Sequence, residues 1–424
     1  MTDLFDAIKN EKEVVWINPH WESIAPMSSV GNLKFVEVRA AQERFMRFMP
    51  FIASAFPETA KQMGVIESKL IPLRSMKEYM KGKGIPVSGK IIMKTDQNLP
   101  IAGSVKARGG IHEVLKYAEG IAMKEGNLRN TDSYEILNSP KFKALFSKYT
   151  IQVGTTGNLG ISIGKTARAL GFKTVVHMSR EGKKWKKDLL REIGAEIVEY
   201  DSDYSEAVRK GREASAADSY SYFIDDENSR DLFMGYATAA LRTKVQLYTS
   251  KINVSKEHPL FVYLPCGVGG APGGISFGMR QMFGDHVHCF FAEPTKAPSM
   301  LLALNSKDKK NVMDFGLSLD TCADGLAVGK ASEFVSEVIG PIVSGCITVT
   351  DEAMLEYQRK MWELEEQYLE PSACAGFAGL QRIFSGNEMA EYLKNHDLLP
   401  YMEGATHLIW GTGGGLVPAD ERFC

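Results

Sequence analysis

Ile91–Gly110 reads IIMKTDQNLPIAGSVKARGG. A β-type run, Ile91–Met93, enters a polar loop broken by Pro100 and Gly103, and the chain re-emerges as a helix for which Ser104 is the expected N-cap. Lys106 then falls in the first helical turn. Ile111, Val114, Leu115 and Ala118 recur at helical spacing, which gives this helix one buried face. A lysine at the positive end of a helix dipole is disfavoured as a cation. That field, with partial desolvation, is expected to lower its pKa below the roughly 10.4 of free lysine and to make a neutral amine accessible. A neutral amine is the nucleophile of Schiff-base chemistry. A solvated lysine beside a glycine-rich turn is the competing reading of this stretch taken alone.

The 424 residues are 44% hydrophobic and 24% charged, enough for two domains with sizeable cores. A formal charge of -2 argues against a nucleic-acid binder or a membrane-surface protein. The opening MTDLFDAIKNEKEVVWINP has acidic residues where a secretory signal is basic and lacks its apolar centre. No later run approaches membrane-spanning length. Cys266, Cys289, Cys322, Cys346, Cys374 and Cys424 are dispersed without a CxxC pair, which suits a reducing cytoplasm and neither a disulfide framework nor a zinc site.

Residues 1–75 read as a mainly helical extension, with Ala40–Phe51 a candidate helix, packed against the body that follows. Gly126–Pro140 reads as surface loop. From Tyr149 strands and helices alternate: strands over Thr150–Val153, Lys173–Met178 and Ala195–Tyr200, helices with Leu159, Ile163, Ala167 and Leu170 on one face and with Trp185, Leu189, Leu190 and Ile193 on another. A further helix is expected over Ser205–Ala217. This alternation predicts an α/β fold with parallel sheets and ligands at the strand-to-helix edge. Lys183, Lys184, Lys186 and Lys187 are read as the solvated side of their helix. His286 and His288 share a strand face but have no third ligand nearby, so a structural role is expected.

Three further turns carry chemistry. Gly267-Val268-Gly269-Gly270-Ala271-Pro272-Gly273-Gly274 follows the apolar strand LFVYLP (Leu260–Pro265) and precedes a helix expected near Ile275. Closely spaced glycines let N–H groups converge, and a helix N-terminus adds positive potential, so a phosphate is the natural guest. The Lys-Ser/Thr of a P-loop is missing, as is an early GxGxxG with its acidic partner, which points to a single phosphomonoester. Tight packing alone is the alternative. Thr155-Thr156-Gly157-Asn158-Leu159-Gly160 offers hydroxyls, an amide and free N–H groups, a combination suited to a carboxylate; Asn158 serving simply as an N-cap is the alternative. Thr412, in Trp410-Gly411-Thr412-Gly413-Gly414-Gly415, ends the strand THLIW and presents one hydroxyl.

The order of these four stretches resembles the fold-type II, tryptophan-synthase β-like, pyridoxal-phosphate enzymes. GSVKARGGIHEVL, VGTTGNLGISIG, FIDDENSR, LFVYLPCGVGG, HVHCFFAEP, ADGLAVGKAS and THLIWGTGGGLVP resemble more narrowly the bacterial D-serine dehydratase (D-serine ammonia-lyase) family, from about Ile91 to Pro418. Ala271 stands where that family has glycine and Thr155 where it has serine. The resemblance implies two domains, each an open, largely parallel sheet flanked by helices with the cofactor in the cleft between them. Residues 76–145 and 226–424 then form the large pyridoxal-phosphate domain and 146–225 the small substrate domain. It implies a Schiff base at Lys106, phosphate at Gly267, Val268, Gly269, Gly270 and Ala271, the ring hydroxyl at Asn158 and the pyridine nitrogen at Thr412. The substrate carboxylate falls to Thr155, Thr156, Gly157, Asn158 and Leu159. Thr156 is the candidate proton relay on the face a D-amino acid presents, and a monovalent cation such as potassium is implied near Glu293 and Ala297.

The implied activity is elimination from D-serine to pyruvate and ammonia, with D-threonine a further substrate, in a cytoplasmic protein for which a monomer is the expected state. An L-serine or L-threonine dehydratase or a serine racemase of the same fold is the nearest alternative. A nucleotide-binding oxidoreductase or regulator is the distant one.

Overall fold

The structure is a computed structural model describing residues 2–155, 157–180, 182–201, 204–306 and 311–423. The strands in chain order are β1 (Val15–Ile17), β2 (Leu70–Pro72), β3 (Lys90–Lys94), β4 (Thr150–Gly154), β5 (Lys173–Ser179), β6 (Glu196–Tyr200), β7 (Ser221–Ile224), β8 (Leu260–Pro265), β9 (Val287–Pro294), β10 (Gly345–Val349) and β11 (Thr406–Trp410). They form a seven-stranded sheet in the order β1-β10-β9-β8-β11-β3-β2 and a four-stranded sheet in the order β6-β5-β4-β7. Every ladder of the smaller sheet is parallel. In the larger one β10, β9, β8, β11 and β3 run parallel, and only the edges β1 and β2 are antiparallel.

Strands β8, β9, β10 and β11 are buried at every position. Helices cover both faces of a parallel sheet, so LFVYLP reads as an unbroken apolar run without alternation, and THLIW is buried throughout although it opens on the polar Thr406 and His407. The helix faces follow the sequence pattern. Ile111, Val114, Leu115 and Ala118 are fully buried, as are Ile163, Ala167 and Leu170. The helix Lys106–Gly126 packs closely against two neighbours because it carries Gly109 and Gly110. A methyl at Gly109 would lie 2.5 Å from the Tyr236 ring, and one at Gly110 2.7 Å from Ser162 Oγ.

Several expectations are corrected. The first 75 residues do more than pack helices, since β1 and β2 close both edges of the large sheet. The candidate helix there extends over Phe35–Ala55, and its Arg44 and Arg47 bind Glu119 of the helix Lys106–Gly126 at 2.7 and 2.8 Å. The connection 126–140 is not all surface. It holds a 3-10 turn, Tyr134–Asn138, whose Tyr134 is buried and donates to Glu119 at 2.8 Å. β7, unread in the sequence, completes the small sheet. His288 is buried, stacks on Phe261 and bonds the Tyr392 hydroxyl at 2.7 Å.

Candidate active site

The carboxyl ends of β3, β4, β7, β8 and β11 converge on one cavity with about 820 Å³ of empty space, its open mouth included. Lys106, Thr155, Asn158, Leu159, Gly267, Val268, Gly269, Gly270, Ala271 and Thr412 all line it. Most of the sequence candidates are thus brought together, at the edge where α/β sheets bind ligands. Thr156 lies outside the described residues. Gly157 sits at the N-cap of the helix Asn158–Leu170 and is not among the lining residues. Glu293 and Ala297 are not among them either.

Lys106 is the first residue of its helix, with Val105 rather than Ser104 in the cap position and no side-chain cap. Ser104 instead bridges to Gly413 in the turn after β11, so the chain ends of β3 and β11 are stitched together beside the lysine. The loop delivering Lys106 is pinned from below by Arg108, whose guanidinium bonds Asp96 at 2.7 Å and Glu67 at 2.6 Å. Trp410 donates its indole N–H to the same Asp96 at 2.7 Å. Burial works to raise the Asp96 pKa, but Arg108, with Lys94 and the Ser68 hydroxyl, outweighs it and holds the carboxylate below its usual range.

The Lys106 ammonium lies 3.2 Å from Asp226 Oδ2 and 5.8 Å from the Tyr236 ring centroid. Asp226 follows β7, and its Oδ1 is buried with no hydrogen-bond partner among the described residues. A buried carboxylate oxygen without a donor is costly, and this one stands in a cavity, so it is an acceptor for a ligand. In the sequence, FIDDENSR carries no signal that marks Asp226 out.

Across the cavity the glycine loop is shorter than expected, because the helix begins at Gly270 and not near Ile275. Gly269 has φ +108°, and a methyl there would lie 2.3 Å from Met300 Cε. The Gly267 carbonyl accepts from Ser299 Oγ at 3.3 Å and the Val268 carbonyl from the Ser332 N–H at 2.9 Å. With those carbonyls held outside, the loop amides and the first amides of the helix are left for an anion.

In the second turn, Thr155 Oγ1 accepts the Gly157 N–H at 3.0 Å, so this hydroxyl shapes the turn. Asn158 is the first helical residue and not the cap. Its Nδ2 donates to Glu370 at 2.8 Å. Glu293 is buried and accepts the N–H groups of Met300 and Leu301 at 2.7 and 2.9 Å, while burial pushes its pKa up to about 8 against them. Its oxygens therefore cap the helix Ser299–Asn305. The basic cluster also departs from expectation: Lys186 and Lys187 are buried. Lys186 pairs with Asp324 at 2.8 Å and Lys187 with Glu199 at 2.6 Å. Glu370, Ser372, Gly325, Leu326 and Val328 line the cavity and were passed over in the sequence. The last three belong to ADGLAVGKAS, whose resemblance was the available signal.

A lysine-headed helix facing a glycine cradle across the edge of a parallel sheet defines a fold-type II pyridoxal-phosphate enzyme, and the chain belongs to this family. The family pattern described as "Pyridoxal-phosphate dependent enzyme" matches residues 63–392. Over 412 residues the chain is 49% identical to a protein named probable D-serine dehydratase of Bacillus mycoides (strain KBAB4), covering 96% of this chain and 92% of that one. It is 51% identical over 388 residues to another of that name from Bacillus subtilis (strain 168), covering 91% and 86%. Among solved structures, diaminopropionate ammonia lyase from Escherichia coli in complex with D-serine aligns with a TM-score of 0.72 at 19% identity, over 95% of this chain and 94% of that one. Serine racemase from Dictyostelium discoideum aligns with a TM-score of 0.61 at 16% identity, over 90% and 98%.

The residues present fit pyridoxal phosphate. The cradle at Gly267–Ala271 suits one phosphate. Lys106 stands within the same cavity, the only lysine lining it among the described residues, and the free Asp226 oxygen is left for a hydroxyl.

Proposed function

We propose that this protein is a lyase that converts D-serine to pyruvate and ammonia, and D-threonine to 2-oxobutanoate. The observation that carries the reading is the Lys106–Asp226 pair, placed between the glycine cradle and the Thr155–Leu159 turn. Its support is the near-full-length identity to proteins named probable D-serine dehydratase.

Bound pyridoxal phosphate supplies the electron sink that makes loss of a Cα proton and a β-hydroxyl feasible. Lys106 anchors it, the Gly267–Ala271 amides hold its phosphate, Asn158 its ring hydroxyl and Thr412 its pyridine nitrogen. A neutral hydroxyl at that nitrogen donates or accepts a hydrogen bond without adding charge. The turn at Thr155–Leu159 takes the substrate carboxylate on hydroxyls and helix-terminal N–H groups. The unpartnered Asp226 oxygen accepts a hydrogen bond from the substrate β-hydroxyl, and the proton lost at Cα is the one that hydroxyl gains to depart as water. The eneamine product tautomerises and hydrolyses, so one serine yields one pyruvate and one ammonia. For a D-substrate held by that carboxylate site the Cα proton faces away from Lys106, and Thr156 is the relay we assign there. Potassium beside Glu293 and Ala297 remains part of this reading, and activity indifferent to potassium against sodium removes it.

No helix among the described residues is long and apolar enough to cross a membrane. A cytoplasmic location agrees with Cys266, Cys289, Cys322, Cys346 and Cys374, which form no disulfide among the described residues. The oligomeric state we assign is the monomer, which light scattering checks.

A coupled pyruvate assay on the purified protein tests the function, with D-serine and L-serine in parallel. The expected result is pyruvate mainly from D-serine. Turnover mainly of L-serine moves the protein to the L-specific dehydratases of this fold, and no turnover with added pyridoxal phosphate contradicts the lyase reading.

A further inference from the structure

Glu370 lines the same cavity and is 7% exposed. Its Oε1 accepts the Asn158 Nδ2–H at 2.8 Å, and its own N–H donates to the Gly413 carbonyl at 3.1 Å. A methyl at Gly413 would lie 2.1 Å from Oε1, so the turn bearing Thr412 rests on this carboxyl only because residue 413 is glycine. The Asn158 side chain and the backbone of the turn that bears Thr412 thus meet at Glu370. An asparagine amide is ambiguous, donating from one side and accepting on the other. An ionised carboxylate only accepts, so it draws Nδ2 towards itself and leaves the second Nδ2–H for the cavity in one fixed arrangement.

We propose that Glu370 is a positioning residue that locks the Asn158 amide in the orientation the ring oxygen of bound pyridoxal phosphate requires. The proposal rests on the Asn158 assignment given above. The lock holds while Glu370 is ionised. Lys186 and Lys183 attract its charge and Asp324 repels it, while Tyr368 and Cys374 also lie in its field. Burial, the largest influence, raises the Glu370 pKa against the pull of Lys186. The lock therefore slips as pH falls and Glu370 takes a proton, after which the amide is free to present either side.

The test is titration of the apoenzyme with pyridoxal phosphate, read by quenching of protein fluorescence, for the wild type, Glu370→Gln, Asn158→Ala and the double variant. Each single substitution is expected to weaken affinity roughly tenfold, the scale of one hydrogen bond to a charged group. The double variant should be no weaker than Asn158→Ala, because Glu370 acts through that amide. A steep acid limb of affinity in the wild type should flatten in Glu370→Gln and move to higher pH in Lys186→Met, which leaves the carboxyl in place. Glu370→Gln binding as tightly as the wild type, losses that add in the double variant, or an acid limb unmoved in Lys186→Met would each overturn the proposal. Unchanged affinity in Asn158→Ala would instead remove the Asn158 assignment, and the proposal with it.

Discussion

Lys106 and Lys186 sit in the first turns of two helices on either side of the cleft, and each faces an aspartate. The Lys106 side chain is 23% exposed and lies 3.2 Å from Asp226. The Lys186 side chain is 1% exposed and lies 2.8 Å from Asp324. Asp226 keeps one oxygen without a partner among the described residues and opens to the cavity. Lys186 is packed beneath the substrate turn, where a methyl at Gly157 would lie 2.2 Å from its Cδ. Burial works to raise the Asp324 pKa, but Lys186, with Lys183 and the Gly325 N–H, outweighs it and holds the carboxylate below its usual range. A lysine–aspartate pair is a structural tie when both charges are consumed by each other and by packing. It becomes a reactive site when access and a spare acceptor remain.

The comparison breaks most sharply at the first lysine. Lys106→Ala should lose the absorbance of lysine-bound cofactor and at least about 10³-fold of turnover; a coloured, active variant contradicts the assignment. Asp226→Asn should keep that colour while kcat falls on the order of 10²-fold with little change in KM, measured by the pyruvate assay. Lys186→Met should act through stability, costing about 2 kcal/mol in a urea midpoint, because it leaves Asp324 without its partner. That figure lies below the range for fully buried pairs because the Asp324 side chain is 29% exposed.

Glu113 sharpens the contrast from the other side, as a buried acid with no cation beside it among the described residues. Tyr222 and Ser229 hydroxyls donate to it, and burial still pushes its pKa up to about 8. Between the ordinary glutamate value of 4.5 and about 8, the folded chain holds a proton that the unfolded chain has released. Its contribution to stability is thus fully present below that window and is lost as pH rises through it. Glu113→Gln should remove that slope, on the order of 1 kcal/mol per pH unit, in urea unfolding followed across the window, with the pyruvate assay unchanged.

The parts of the fold legible in sequence are those with long, repeated apolar signals. LFVYLP matches its observed strand end to end, and the Lys106 helix and its buried face follow from Ile111, Val114, Leu115 and Ala118. β1 and β2, each of three residues, are too short to show a period, and they are strands only because the large sheet offers them an edge. The glycine loop is legible in chemistry but not in length, since Pro272 is tolerated in a first helical turn, where its missing N–H would have no partner. Asp226 and Glu370 are invisible in sequence because an acid in a polar loop looks solvated until another element covers it. Lys186 misleads for the same reason: its helix is amphipathic, yet the loop bearing Asp324 covers the polar side.

The most direct measurement is borohydride reduction of the cofactor-loaded protein followed by peptide mapping. The pyridoxyl group is expected on Lys106. The label on any other lysine, Lys186 included, would contradict it.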